Sequence, residues 1–198
     1  MEYAGNGDLA GFVKKHKCVK EDLAKLWFRQ SCDAVGYLHN DLKMAHRDIK
    51  LDNILLDDQN NVKLTDFGFA RHELGSESSE GATGTDLSVT YCGTVPYYCP
   101  QLVAKRPYQP FLADVWAMGV VLYAMLCGRF PFHFQNTAKM YKEQVNEYPR
   151  YIRSRFADAN GKPLIHTTPQ HLVEWMFTPE EKDRPTMNDV LGHEWLSN

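Results

Sequence analysis

Apolar residues follow a helical period over most of this chain, and the longest regular stripe lies between Glu21 and Asn40. Its apolar positions mostly recur every three or four residues, as in an amphipathic helix; they are Leu23, Leu26, Trp27, Ala34, Tyr37 and Leu38. A shorter helix is predicted over residues 9–13, with Asp8 placed to cap it. Residues 115–127 contain no charge and predict a helix buried on all sides, although this run is too short to cross a bilayer.

One small β-hairpin is predicted beside these helices. Residues 54–56 and 62–64 are mainly apolar, and the five residues between them are Asp, Asp, Gln, Asn and Asn, a composition typical of a turn. Residues 73–88 offer almost nothing to bury, so we expect a mobile loop there. Residues 169–196 return to helical spacing. The pattern therefore predicts a single domain that is mainly α-helical.

Composition and charge narrow the class of protein without naming its chemistry. The 198 residues are 43% hydrophobic and 24% charged, ordinary values for a globular domain. A net charge of −3 gives no reason to expect nucleic acid or a membrane surface as a partner. The five scattered cysteines fit free thiols in a reducing compartment, and the polar opening residues do not resemble a signal peptide. We therefore expect a cytoplasmic protein.

The chemistry is concentrated in residues 46–53, which read HRDIKLDN, and in residues 66–68, which read DFG. This segment places the carboxylate of Asp48, the amine of Lys50 and the carboxamide of Asn53 in one short loop. A second carboxylate, Asp66, follows the predicted hairpin. Phosphoryl transfer uses a base for the attacking hydroxyl, a cation for the phosphate and oxygen ligands for magnesium. The four side chains supply these groups.

These two segments, together with DVWAMGV at residues 114–120, resemble the catalytic loop, magnesium loop and central helix of eukaryotic protein kinases. Their order and spacing match over essentially the whole chain. The resemblance implies a kinase-like large, C-terminal lobe over residues 9–198, preceded by a hinge at residues 1–8. It also implies an activation segment at residues 66–101, and ATP and Mg²⁺ as cofactors. Lys50, two residues after Asp48, is typical of the serine/threonine class, so protein Ser and Thr hydroxyls are the implied substrates.

The resemblance assigns a role to each residue of the catalytic loop. Asp48 would orient the substrate hydroxyl and accept its proton, and Lys50 would neutralise the γ-phosphate. Asn53 and Asp66 would hold magnesium. Thr94 would contact Asp48 and Lys50 and help to present the substrate.

The nucleotide would be held by the opening residues, again by resemblance. The backbone carbonyl of Glu2 and the backbone amide of Ala4 would pair with the adenine edge. Asp8 would reach the ribose, and Leu55 would form the apolar floor under the ring.

Regulation is implied at Thr90, which lies where the family often carries an activating phosphate. Arg47 and Arg71 are placed to clamp that phosphate with their guanidinium groups. An upstream activating kinase is therefore a possible partner. His46 is expected to pack beneath Phe67 in a structural role, as in the family.

Two further structural expectations concern Asp114 and the remaining histidines. Asp114 is expected to brace the backbone around the catalytic loop. The other histidines have no metal-ligand spacing and are expected at the surface.

Two features depart from the family pattern. The activation segment ends in Cys99-Pro100-Gln101, where the family usually has Ala-Pro-Glu. Gln101 can accept a hydrogen bond from Arg184 but cannot form the ion pair, and Asp183 is expected to compensate in part. No glycine-rich phosphate loop or strand lysine precedes Met1, so the β-rich N-terminal lobe is expected to be absent. We expect little or no activity from the 198 residues alone.

Several interpretations remain open. The chain is a fragment beginning at a hinge methionine, which we favour, or a short natural product, or a lobe completed by another chain. A non-catalytic, pseudokinase-like interaction module is the main functional alternative, and a small-molecule phosphotransferase is a second. Residues 69–71 (FAR), 108–110 (YQP) and 127–131 (CGRFP) are similar to the testis-specific serine/threonine kinases of the calmodulin-dependent-kinase-like group.

Overall fold

The computed structural model of the chain describes residues 4–72, 87–158 and 160–197. Within these ranges the fold is mainly α-helical, which confirms the predicted fold class. Its α-helices are α1 Leu9–His16, α2 Glu21–Asn40, α3 Pro100–Val103, α4 Pro110–Cys127, α5 Thr137–Tyr141, α6 Arg150–Ser154, α7 Thr167–Met176, α8 Met187–Leu191 and α9 Glu194–Ser197. Short 3₁₀ turns lie at Leu51–Asn53, Val95–Tyr97 and Glu181–Asp183, and a π-helical turn lies at Lys142–Asn146.

The first two helices begin where their sequence predicts. Asp8 caps α1 by accepting a hydrogen bond of 2.7 Å from the backbone N–H of Gly11. The helix then continues three residues beyond the predicted segment, to His16. Helix α2 has the predicted bounds and buries one face, on which Trp27 and Phe28 are almost fully enclosed.

Helix α4 is the central element of the fold and is longer than its uncharged run predicts. Pro110 occupies the first turn, a position where the missing N–H of proline costs nothing. At 18 residues, α4 is long and apolar enough to cross a membrane, so the expectation based on length was wrong. However, 83% of the helix is buried inside the fold, as predicted for a core helix.

The described residues contain two small antiparallel sheets. Strands β2 (Ile54–Leu56) and β3 (Val62–Leu64) form the predicted hairpin. Strands β1 (Met44–Ala45) and β4 (Arg71–His72) also pair, a contact that the sequence pattern did not predict. Both sheets lie beside the catalytic loop, because one flanks the loop at each end.

The core forms around α4. The rings of Trp116, Phe132 and Phe177 pack against each other with centroids 5.0–5.7 Å apart. Gly119 allows Phe177 to approach α4 closely, since a Cβ atom at this position would lie 2.9 Å from that ring. Helix α4 is thereby fixed along its length, and it can support the loop that rests on it.

The predicted mobile loop and the predicted surface histidines have different outcomes. Residues 73–86 of the predicted mobile loop lie outside the described residues. The surface assignment of the remaining histidines was wrong for His39 and His193, which are 7% and 8% exposed. His39 is buried because it bonds to Asp114, and His193 because it packs against Trp175 and His171.

Candidate active site

Asp114 on α4 holds the start of the catalytic loop, as expected. Its Oδ2 accepts hydrogen bonds from the backbone N–H of His46 at 2.8 Å and from His39 Nε2 at 2.9 Å. Its Oδ1 accepts from the backbone N–H of Arg47 at 2.8 Å. Arg47 has φ +65°, a conformation that non-glycine residues rarely adopt. The three bonds therefore fix a sharp turn immediately before Asp48.

His46 connects the catalytic loop to the segment that carries Asp66. Its ring is fully buried, and its Nε2 bonds to the backbone carbonyl of Thr65 at 3.0 Å. Its Nδ1 accepts from the backbone N–H of Asp48 at 3.3 Å. The ring also packs on Phe67 with a centroid distance of 5.2 Å. His46 thus contacts the chain on both sides of the site, in the predicted position under Phe67.

The Asp48 carboxylate lies at the centre of the site and is 4% exposed. Its Oδ2 accepts hydrogen bonds from Lys50 Nζ at 2.6 Å and from Asn53 Nδ2 at 3.3 Å. Its Oδ1 accepts from Thr94 Oγ1 at 2.7 Å. Lys50 Nζ also donates to Thr94 Oγ1 at 3.2 Å. Four residues predicted from the sequence are therefore brought into one hydrogen-bonded group.

Gly93 permits this contact between the activation segment and the catalytic loop. Its φ is +99°, and a Cβ atom there would lie 2.7 Å from the backbone oxygen of Arg47. Only a residue without a side chain fits such an approach. Thr94 is thereby delivered to Asp48.

The register of the β2–β3 hairpin sets the positions of Asn53 and Asp66. Asn53 immediately precedes β2 and Asp66 follows β3, and the two antiparallel strands bring these ends to the same edge. Asn53 donates its Nδ2 to the backbone carbonyl of Asp48 at 2.9 Å, which leaves Oδ1 as the possible metal ligand. Asp66 is exposed and has φ +63°, and its Oδ1 accepts from the Gly68 N–H at 3.3 Å.

The oxygen chemistry of these two side chains suits Mg²⁺, which in proteins is often held by one or two carboxylates plus phosphate oxygens and water. Over residues 4–72, 87–158 and 160–197, no three side chains of His, Cys, Asp or Glu form a metal-binding group.

The predicted nucleotide residues are only partly described. Glu2 lies outside the described residues. Ala4 and Leu55 line the same cavity, of about 710 Å³, and its other walls include Tyr37, Leu42 and Phe67. Asp8 forms a β-bridge with Leu55, but its carboxylate caps α1. The cavity is within the size range of ligand pockets.

The predicted phosphate site has one notable feature. Arg47 donates from Nε to the backbone carbonyl of Phe69 at 2.7 Å, while its Nη1 is buried without a partner among the described residues. Thr90 is exposed, and its carbonyl accepts from Tyr108 Oη at 2.9 Å. Burial raises the pKa of Tyr108 to about 12, although the positive charge of Arg47 opposes that rise. Arg47 and Tyr108 line the same small cavity, and Tyr108 bonds to Thr90, so Arg47 and Thr90 lie on the same side of the site.

Arg71 lies on β4, directly opposite Ala45 and two residues from Arg47 on the paired strand. Its side chain is exposed. The strand pairing therefore places Arg71 opposite Ala45, a residue two positions before Arg47.

The end of the activation segment is anchored on Arg184, which is 4% exposed. Gln101 Oε1 accepts from Arg184 Nη2 at 3.1 Å, as expected, and three backbone carbonyls accept its other N–H groups. Burial lowers the pKa of Arg184, while Cys99 and Glu181 raise it. The expectation that Asp183 compensates was wrong, because Asp183 is exposed and the carboxylates that raise the pKa of Arg184 are those of Glu181 and Glu180.

Two supporting residues were missed from the sequence. His39 bonds to Asp114 from the end of α2, 75 positions away. Tyr97 Oη accepts from the backbone N–H of Leu51 at 3.2 Å and thereby joins the activation segment to the catalytic loop. No local pattern marks either residue, because both contacts depend on how distant segments meet.

With this geometry in place, comparison with known proteins identifies the family. The family model described as "Protein kinase domain" matches residues 1–196. The chain belongs to the protein kinase family. The resemblance found in its motifs is therefore confirmed.

Among curated proteins, the chain is similar to testis-specific serine/threonine-protein kinases. It is 37% identical to kinase 2 of Mus musculus over 196 residues, which cover 99% of this chain and 51% of the relative. It is 34% identical to kinase 4 of Homo sapiens over 206 residues, covering 99% of this chain and 58% of the relative. Maternal embryonic leucine zipper kinase of Xenopus laevis is 32% identical over 200 residues, covering 99% of this chain and 27% of that kinase. The chain thus spans about half the length of the testis-specific kinases that it matches.

Proposed function

We propose that this chain is the large lobe of an ATP-dependent protein kinase that transfers the γ-phosphate of ATP to serine or threonine hydroxyls of other proteins. The observation that carries this proposal is the hydrogen-bonded group of Asp48, Lys50, Asn53 and Thr94. Asp48, Lys50 and Asn53 are the kinds of group that phosphoryl transfer uses, and Lys50, Asn53 and Thr94 each donate a hydrogen bond to the Asp48 carboxylate.

Asp48 is proposed as the residue that orients the substrate hydroxyl and accepts its proton. The side chain is almost fully enclosed, and the preceding turn is fixed by Asp114. Its position is therefore set before any substrate arrives, and such positioning lowers the barrier of a bimolecular reaction. Thr94 donates a hydrogen bond to the carboxylate oxygen Oδ1. The hydroxyl of a substrate serine or threonine is proposed to donate to the same carboxylate in the same way.

Lys50 is proposed as the cation that stabilises negative charge on the transferred phosphoryl group. Its Nζ lies between Asp48 Oδ2 and Thr94 Oγ1, at 2.6 Å and 3.2 Å. A point charge in this position is directed towards the site where the phosphate and hydroxyl would meet.

Asn53 and Asp66 are proposed to hold magnesium. When bound, Mg²⁺ neutralises phosphate charge and orients the transferred group. The contribution of the protein is to fix Asn53 through its bond to the Asp48 carbonyl and to place Asp66 at the same edge of the hairpin.

Phosphorylation of Thr90 by an upstream kinase is proposed as the activating step. The unpartnered Nη1 of Arg47 and the exposed side chain of Arg71 offer donors for a phosphate group. A phosphate at Thr90 would link the activation segment to the residue that precedes Asp48. Thr90→Ala would then lower activity only in protein treated with an activating kinase.

The test of the proposal is transfer of labelled γ-phosphate to a mixture of protein substrates by the complete natural protein. Activity should require magnesium and should fall on Thr94→Ala but largely recover in Thr94→Ser, which restores the hydroxyl. We expect the 198 residues alone to transfer little or no phosphate. A non-catalytic interaction module would bind partners in this experiment without transferring phosphate, so absence of transfer by the complete natural protein would overturn the proposal.

A further inference from the structure

Two cysteines lie where the linker between α1 and α2 crosses the end of α4. Cys18 is in that linker, and Cys127 is the last residue of α4. The backbone N–H of Val19 donates a hydrogen bond of 2.7 Å to the carbonyl of Met125. Val19, which follows Cys18, is thus bonded to Met125, which lies two positions before Cys127.

The two segments also touch on the other side of the thiols. Gly128 has φ +66°, and a Cβ atom there would lie 1.9 Å from the backbone oxygen of Lys17 and 3.8 Å from the backbone nitrogen of Cys18. The backbone of Cys18 is therefore held against the residue that follows Cys127. Contacts on both sides of the pair fix the spacing of the two chain segments.

The two thiols differ in their surroundings. Cys18 is exposed, whereas Cys127 is only partly exposed. Burial raises the pKa of Cys127 to about 11, and the charge of Cys18 contributes to that rise. Cys18 is accordingly the thiol that meets an oxidant first, because it is the more exposed of the two.

We propose that Cys18 and Cys127 form a reversible disulfide when a hydroperoxide oxidises Cys18. The Cys18 sulfur attacks the peroxide O–O bond, giving Cys18 sulfenic acid and releasing one water or alcohol. The Cys127 sulfur then attacks the sulfenic sulfur, the S–S bond forms, and the departing hydroxide takes the Cys127 proton and leaves as water. Two thiols lose two hydrogens in total, and the hydroperoxide is reduced.

The remaining cysteines do not offer the same pair. Cys32 and Cys99 are completely buried, and burial raises the pKa of each thiol. Cys92 is half-buried in the activation segment and provides a matched control.

A bond at this position would tie the start of α2 and the end of α1 to the central helix. Asp8, which caps α1, forms a β-bridge with Leu55 in the wall of the 710 Å³ cavity. Helix α4 carries Asp114, which braces the catalytic loop. A cross-link between distant positions restricts the unfolded chain. The oxidised protein should therefore melt at a higher temperature than the reduced one, and dithiothreitol should reverse the change.

The experiment treats the 198-residue chain with one equivalent of hydrogen peroxide, blocks remaining thiols and maps peptides by mass spectrometry without reduction. We expect one cross-linked peptide pair containing Cys18 and Cys127. It should be lost in Cys18→Ser, whose exposed position should not impair folding, and kept in Cys92→Ser. The rise in melting temperature should be lost in the same variant.

Three outcomes would overturn the proposal. Cys18 could be recovered as sulfinic acid, Cys18 could link two copies of the chain, or Cys18 could be cross-linked to Cys92 and not to Cys127. Each would mean that Cys127 is not the partner of Cys18.

Discussion

Thr94 Oγ1 donates a hydrogen bond of 2.7 Å to Oδ1 of Asp48, across 46 residues of sequence. This bond joins the activation segment to the catalytic loop at the atom where the substrate hydroxyl is proposed to bind. It depends on two supports: Asp114, which fixes the turn before Asp48, and Gly93, which lets the segment approach. The first two predictions concern these supports.

Asp114→Asn should destabilise the protein by about 3 kcal/mol, because an amide nitrogen would face one of the buried N–H donors that the carboxylate now accepts. Urea denaturation measures the free energy of unfolding. Asp33→Asn on the exposed face of α2 is the matched control and should change this energy by less than about 0.5 kcal/mol. Equal losses in both variants would contradict the bracing role.

Gly93→Ala should reduce stability by more than about 2 kcal/mol, since it combines the cost of a positive φ with a contact of 2.7 Å to the Arg47 carbonyl. Gly161→Ala separates the two effects. Gly161 also has a positive φ, +79°, but nothing lies within 4 Å of its added Cβ. It should lose only about 1 kcal/mol. Thermal unfolding measures both variants. Equal losses of stability in Gly93→Ala and Gly161→Ala would refute the steric explanation.

Gln101→Glu should stabilise the fold by about 1 kcal/mol, because a carboxylate that forms an ion pair with buried Arg184 replaces a neutral amide acceptor. The Gln101 bond to the Pro179 carbonyl is lost, but Arg184 Nη2 still donates to that oxygen at 2.9 Å. Gln59→Glu in the exposed hairpin turn is the control for added charge. A lower unfolding free energy in Gln101→Glu would show that Glu181 already balances the charge of the arginine.

Stability should fall as pH drops below about 6.5. Burial, and then the neighbouring His171, lower the pKa of His193, while Glu194 opposes the shift. The unfolded chain therefore binds a proton more readily, so this contribution is present above the unfolded pKa and is lost as pH falls through the folded one. Protonation of the ring at Nδ1 would also break the 3.2 Å hydrogen bond that this atom accepts from the backbone N–H of Trp195.

His193→Gln should flatten the pH dependence of the unfolding free energy between pH about 7 and about 5. His16→Gln, on the exposed face of α1, should leave the fall in place. An unchanged slope in His193→Gln would contradict the assignment.

Much of the fold could be predicted because its signals are local. The bounds of α2, the cap of α1 and the β2–β3 hairpin each depend on residues within a few positions of each other. The positions of Asp48, Lys50 and Asn53 were likewise predictable, because one loop carries all three.

What the sequence could not supply are contacts between distant segments. The pairing of β1 with β4, the bond from His39 to Asp114 and the contact of Cys99 with Arg184 depend on tertiary packing. The start of α4 was also missed, since the helix begins at Pro110, four residues before Asp114, which is buried and bonded to the catalytic loop. The roles of Thr90, Arg71 and the hinge residues stay predictions.

The central claim is that Asp48 is the residue through which this protein promotes phosphate transfer. The most direct measurement compares kcat for phosphorylation of a protein substrate by the complete natural protein and by its Asp48→Asn variant. Asp58→Asn, in the exposed hairpin turn, is the matched control. We predict a loss of about 10²-fold to 10⁴-fold for Asp48→Asn, with nucleotide affinity retained and the control unchanged. Normal turnover by Asp48→Asn would contradict the account.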